Sequence, residues 1–181
     1  MALLEPQTHS RRYKLTVDDF YRLDLPHDKN YELLEGVIYE MPAIGPLHAT
    51  LVRKFQDVFY KHFRDRAIIS TQNPVLLGKY SLPQPDIALI RDADYSHEHP
   101  QVEDTYLVIE VAVTTLEDDR EKLAVYAKAG IPEVWIVNPK TYRIEVYREP
   151  EGRSYKVHFD HDLERPIASL AFPDDPLKLN W

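Results

Sequence analysis

The chain has 181 residues, 44% of them hydrophobic and 29% charged, with a formal net charge of −8. That is room for one domain with a sizeable core, and the balance of a soluble globular protein rather than a disordered one. The absence of cysteine excludes disulfides, cysteine–zinc sites and thiol nucleophiles, and no apolar run approaches the ~20 residues that cross a bilayer.

The acidic balance speaks against a surface given over wholly to nucleic acid. Basic residues cluster only locally, at Arg11, Arg12 and Lys14, at Arg64 and Arg66, and at Arg143, Arg148, Arg153 and Lys156. Residues 1–14 read as an N-terminal tail without the apolar core of a secretory signal, so a cytoplasmic location is expected by default. Residues 15–181 read as a single domain. The five glycines, Gly36, Gly45, Gly78, Gly130 and Gly152, are too far apart for a phosphate-cradling loop or dinucleotide fingerprint. No serine sits in a GxSxG elbow.

Thr16-Val17-Asp18-Asp19 has the form of a capping box, opening a short helix to about Leu23. Tyr31 to Leu34 and Val37 to Met41 read as strands around a Glu35-Gly36 turn. From Leu47 to about Phe63, Leu47, Leu51, Phe55, Val58 and Phe59 recur at helical spacing. Ala67 to Thr71 and Pro74 to Leu77 read as strands, then Tyr80 to Pro85 as a proline-broken loop. Asp86 to Ile90 is a strand, and a polar loop runs from Arg91 to Asp104. Tyr106 to Val113 is nearly all apolar, a strand covered on both faces.

Thr115 can cap a helix running to about Ala129, which Gly130 and Pro132 stop. Val134 to Val137 is another buried strand. Arg143 to Tyr147 and Tyr155 to Phe159 form a hairpin turned at Pro150-Glu151-Gly152, and the weakly alternating remainder, ending in Trp181, reads as an edge strand. The order implies an α/β domain with a mixed sheet.

Glu110 is the most informative residue, because Leu107, Val108, Ile109 and Val111 around it demand burial. An unpaired carboxylate there costs several kcal/mol, so a metal ion or a basic side chain must meet it. Alternation puts Val108, Glu110 and Ala112 on one face. Asp86 opens the preceding strand after Pro83-Gln84-Pro85. On neighbouring strands the two acids can converge on one hard cation, which prefers oxygen ligands. Asp118, Lys122 and Tyr126 follow at steps of four on the next helix. Asp118–Lys122 reads as a surface ion pair worth a few tenths of a kcal/mol, or Lys122 points over the sheet to the acids and stabilises charge on a phosphate. Residue chemistry alone leaves both open.

With these residues in place, the chain resembles the large bacterial Uma-type family of restriction endonucleases, within the PD-(D/E)XK nuclease superfamily. The likeness rests on Tyr31-Glu32-Leu33-Leu34-Glu35-Gly36, Pro85-Asp86, Val108-Ile109-Glu110-Val111, Glu121-Lys122-Leu123 and the stretch from Tyr126 through Gly130-Ile131-Pro132-Glu133-Val134-Trp135. It implies a restriction-endonuclease-like mixed β-sheet core flanked by helices, with Asp86 and Glu110 holding Mg²⁺ or Mn²⁺. The expected reaction is metal-dependent endonucleolytic hydrolysis of nucleic acid, DNA foremost; a duplex has two strands to cut, which would suit a homodimer. One departure stands out: the lysine of the motif belongs at position 112, which is alanine. Lys122 is the natural substitute.

The resemblance also favours Glu32 as an auxiliary acid, although an exposed hairpin acid is the alternative. His48, in the first turn of the long helix where amides meet phosphates, and Tyr126, on the Lys122 stripe, complete the auxiliary candidates. Gln72 and Gln84 flank the site without an assigned role. His97-Glu98-His99 and His158 to Asp162 lack zinc-site spacing. Two other functions fit the sequence: a catalytically inactive binding or scaffold protein on the same fold, and a hydrolase of smaller phosphate esters.

Overall fold

The computed structural model describes residues 13–113 and 116–179, without the side chains of residues 116–119. The Arg11–Arg12 pair, the Thr115 cap, the side chain of Asp118 and Trp181 lie outside the described residues. Helix α1 (Val17–Tyr21) opens on the expected box: Thr16 Oγ1 accepts from the Asp19 N–H at 3.1 Å, and Asp19 Oδ2 accepts from the Thr16 N–H at 3.0 Å. It stops two residues short of Leu23, where the Arg22 N–H turns back to the Asp19 carbonyl.

Strands β1 (Tyr31–Leu34) and β2 (Val37–Glu40) form a hairpin. Its turn residues Glu35 and Gly36 have φ of 50° and 85°, the tight turn that matches strand twist. Gly36 is also required sterically, since a Cβ there would come within 2.5 Å of Lys14 Cβ. Helix α2 (Pro46–Phe63) buries Leu51, Val52, Phe55, Phe59 and Phe63. Leu47, expected on that stripe, is half exposed in the first turn.

The main sheet runs β3 (Ile68–Thr71), β4 (Ile87–Ile90), β5 (Thr105–Val111), β6 (Glu133–Asn138), β7 (Arg143–Glu151) and β8 (Ser154–Asp162), in that order. Among its described strands only β5 and β6 pair in parallel. They are joined through α3 (Leu116–Ala129), because a parallel pair needs a long crossover. One face packs Ile87, Leu89, Leu107, Ile109, Val111 and Trp135 under α2. The other packs Ala88, Ile90, Val108 and Val134 against Val125 and Tyr126 of α3. No helix among the described residues is long and apolar enough to cross a membrane.

Three expectations are corrected. Pro74 to Leu77 makes one isolated bridge, at Leu76, because its N–H groups go to loop carbonyls of Pro83, Pro100 and Ser81. The β7–β8 hairpin turns later, at Gly152-Arg153, and takes Pro150 into β7. Proline is tolerated there because β6 pairs with β7 only as far as Glu133–Arg148, leaving no ladder acceptor for its missing N–H on that side. The C-terminal stretch is not an edge strand: Ile167 and Leu177 pair with each other, and with Leu163 and Leu179 they cover the α2 face.

An ion-pair cluster fastens the β1–β2 turn to the rest. Glu35 accepts from Arg153 at 2.6 and 2.9 Å and from Lys128 at 2.6 Å. These hydrogen bonds draw its carboxyl down from 4.5 to about 2. A depressed folded value adds stability that is present above the unfolded value and lost as pH falls through the folded one. Glu35→Gln should therefore lower the unfolding free energy at pH 7 by about 1 kcal/mol, after allowance for solvent screening. Chemical denaturation across pH should find the gap from wild type closing between pH 4.5 and about 2.

Candidate active site

Asp86 stands at the mouth of β4. Since Ile87 lies opposite Ile109 on β5, Asp86 falls one step further, level with Glu110. The two are in contact: the Asp86 N–H donates to Glu110 Oε2 at 3.3 Å, and Asp86 Oδ2 accepts from the Val111 N–H at 2.8 Å. His48 Nε2 lies 2.9 Å from the same Oδ2. An ionised carboxylate only accepts, so Nε2 carries the proton. Among the described residues nothing donates to Asp86 Oδ1, and the side chain keeps 14% of its surface open to solvent.

Glu110 is 2% exposed and shares the α3 face with Val108. Tyr126 donates its hydroxyl to Glu110 Oε1 at 2.6 Å. One turn earlier on the helix, Lys122 brings Nζ to 3.8 Å from the same oxygen. Its nearer partner is Glu32 Oε1, at 3.1 Å. Glu32 is 4% exposed, which removes the reading as an exposed hairpin acid. Its Oε2 accepts from the Gln84 N–H at 3.4 Å. Leu33 and Leu82 exchange backbone hydrogen bonds, so the hairpin is stitched to the Pro83–Pro85 loop and Glu32 is carried inward.

Asp86, Glu110, Lys122, Glu32, His48 and Tyr126 therefore form one contact network drawn from five elements. Gln84 joins it through its backbone N–H, and its side chain binds the Tyr31 carbonyl at 3.1 Å. Gln72 contributes only a backbone N–H, to the Asp86 carbonyl at 3.1 Å. Sequence reasoning missed these donors because backbone amides carry no residue signature. It also missed Arg120, which forks Glu145 at 2.5 and 3.1 Å and fastens α3 across β7 two residues before Lys122. Burial alone would raise the Glu145 carboxyl, but hydrogen bonds from Arg120 and Tyr147 outweigh it and hold it low. The rejected zinc motifs are otherwise engaged: His99 bonds Tyr21 at 2.6 Å, and His158 stacks on Tyr147 at 4.3 Å.

Three carboxylates face one lysine and one histidine, a surplus of negative charge that suits a cation, and oxygen donors suit a hard one. Among the described residues no three His, Asp or Glu side chains are grouped to hold an ion unaided. Two carboxylates, with water and phosphate oxygens completing the shell, is a usual Mg²⁺ arrangement. The residues present fit such an ion. Lys122 and Glu32 also line a cleft of about 410 Å³ that runs past Leu34, Val37, Tyr39 and Arg153. Lys14, Lys79 and Lys128 line a second pocket of about 160 Å³, which shares Glu35 and Val125 with the first.

A family model described as "Uma2: Putative restriction endonuclease" matches residues 17–180. Among solved structures, the chain is similar to "a putative nuclease belonging to DUF820" from Anabaena variabilis. The two share 18% identity, with a TM-score of 0.73 over 91% of this chain and 95% of the other, a likeness of fold. No curated protein matches.

Removing the ammonium should expose the tension in this network. Lys122→Met leaves Glu32 and Glu110 buried without it, and should lower the unfolding free energy by about 3 kcal/mol. Urea unfolding measures the difference. A loss below about 1 kcal/mol would mean that other donors neutralise the acids.

Proposed function

The chain belongs to the Uma2 restriction-endonuclease family, and from that premise we propose that it hydrolyses DNA phosphodiester bonds with a divalent cation, Mg²⁺ or Mn²⁺, at Asp86 and Glu110. Membership of that family supports a hydrolase acting on nucleic acids, and restriction-endonuclease-like nucleases generally use divalent metals. The observation that carries the proposal is the meeting of Asp86 and Glu110 on adjacent strands, with the Lys122 ammonium against the same buried group of acids.

A cation held by the two carboxylates would polarise the phosphate and lower the pKa of an attacking water. The chain's own residues prepare that arrangement. Val111 and His48 fix Asp86 Oδ2, and Oδ1 would be the oxygen offered to the cation. Tyr126 and the Asp86 N–H hold the two oxygens of Glu110 in one orientation. Lys122 occupies the role of the missing strand lysine from the helix side, orienting water or offsetting charge on the phosphate, and Glu32 holds the ammonium in place. The overall charge of −8 does not describe the surroundings of the site, where Lys14, Lys79, Lys122, Lys128 and Arg153 outnumber Glu32, Glu35 and Glu121 along the adjoining clefts, with Glu35 pairing Lys128 and Arg153. Such a rim suits a polyanion better than a small phosphate ester. A dimer would present two centres to the two strands of a duplex.

The test is cleavage of supercoiled plasmid with Mg²⁺ or Mn²⁺, alongside an RNA and a small phosphodiester. Wild type should nick and linearise the plasmid. Asp86→Ala and Glu110→Ala should each fall at least about 100-fold, since losing even an outer partner of a metal costs 10- to 100-fold. Full cutting by both variants eliminates this site. If wild type cuts none of the three and its melting temperature responds to neither ion, the fold is serving as a binding scaffold.

A further inference from the structure

One face of the β1–β2 hairpin forms a wall beside Lys122. Glu32 stands directly opposite Tyr39, and Leu34 directly opposite Val37. Alternation puts these four side chains on one face, and all four line the cleft of about 410 Å³. The β1 half of that face is covered: Glu32 is 4% exposed against Lys122, and Leu34 packs with Val125 of α3. The β2 half is open, with Tyr39 44% and Val37 53% exposed. Facing residues of an antiparallel pair have Cβ atoms ~5 Å apart, so Tyr39 neighbours the acid that holds the Lys122 ammonium. A lone exposed tyrosine needs no explanation. One that walls the cleft beside that ammonium is in reach of whatever the ammonium meets.

Charge divides the two hollows. Away from Lys122, the Tyr39 cleft offers a phosphate little, since Arg153 is forked to Glu35 and Glu121 adds negative charge. Its remaining surface is apolar and aromatic, which suits a neutral flat ring. The second pocket sets Lys14, Lys79 and Lys128 against Glu35 alone, which suits phosphate. Glu35 and Val125 line both hollows, so the two adjoin. Lys122 and Lys128 are six residues apart (128 − 122), about 9 Å along α3. Nucleotides stacked at ~3.4 Å cover that span in two to three steps.

We propose that the Tyr39 cleft seats an unpaired nucleobase of the strand being cut, stacked on the Tyr39 ring, while the Lys14–Lys79–Lys128 pocket takes a nearby backbone phosphate. This rests on the nuclease reading and adds to it a preference for single-stranded over duplex DNA. In a duplex both faces of a base are covered by its neighbours. A base therefore meets Tyr39 only after leaving the stack, a cost that an already unpaired base is spared. Stacking on an aromatic ring accepts any base, because each has a π-face. The subsite accordingly selects strand form rather than sequence.

The test is fluorescence anisotropy with a short labelled DNA in three forms: single-stranded, annealed to its complement, and single-stranded with abasic sites in place of bases. Binding is read with Ca²⁺ in place of Mg²⁺, and strand lengths afterwards show whether anything was cut. Wild type should bind the single strand about tenfold more tightly than the duplex or the abasic strand. Tyr39→Leu keeps apolar bulk and removes the ring, so it should lose about tenfold on the single strand and nothing on the abasic one. Tyr39→Phe should keep the wild-type affinity. Lys79→Glu should weaken the single and abasic strands alike, since phosphate contacts carry no base information. Thermal melts check that each variant is folded, as expected at exposed positions. A duplex or abasic strand bound as tightly as the single strand, a Tyr39→Leu variant that binds like wild type, or a wild type that binds none of the three would each overturn the base subsite. Plasmid cleavage that persists in any of those cases leaves the nuclease reading standing without it. The expected binding pattern in a protein that cuts nothing keeps the subsite and removes the hydrolysis.

Discussion

A carboxylate enclosed by Leu107, Val108, Ile109 and Val111 has to be met by donors or by positive charge, and the way Glu110 is met organises the rest of this molecule. The Tyr126 hydroxyl and the Lys122 ammonium come from α3, and the Asp86 amide comes from β4. Satisfying one buried group therefore fixes how a helix docks on the sheet and how two strands align. A second buried acid does comparable work elsewhere. Glu133, fully enclosed on β6, takes donors from Trp135, Arg148 and the Leu170 N–H, and so fastens the C-terminal segment to the sheet. Burial raises its carboxyl above the ordinary value despite those partners.

The position of the lysine follows from the same geometry. Position 112 is alanine, 2% exposed, with its N–H committed to the Val137 carbonyl. Helix α3 crosses the face that Glu110 occupies, so a side chain from its first turns can deliver an ammonium to that group. The helix thus brings the Lys122 ammonium to 3.8 Å from Glu110 on that face. The Arg120–Glu145 fork holds this part of α3 over the sheet.

Much of the fold was legible because its cues are local. The capping box at Thr16, the Glu35-Gly36 turn and the unbroken apolar run of β5 each depend on neighbours within a few residues. Where local pattern misled, long-range pairing had intervened. Pro74 to Leu77 looks like a strand but spends its amides on loop carbonyls, and Pro150 sits in β7 only because β6 has already ended. Leu47 repeats the helical period yet falls at the exposed first turn of α2.

Composition and periodicity by themselves determined an α/β chain, two acids on successive strands and a lysine one helix later, because hydrophobic alternation and motif spacing are written along the backbone. Only the tertiary structure decided that Glu32 is buried against Lys122, that His48 holds Asp86, and that α3 covers the Glu110 face. His48 and Asp86 are 38 residues apart, and Glu32 lies 90 positions before Lys122 (122 − 32). Contacts over such separations depend on how whole elements pack, which no local pattern encodes.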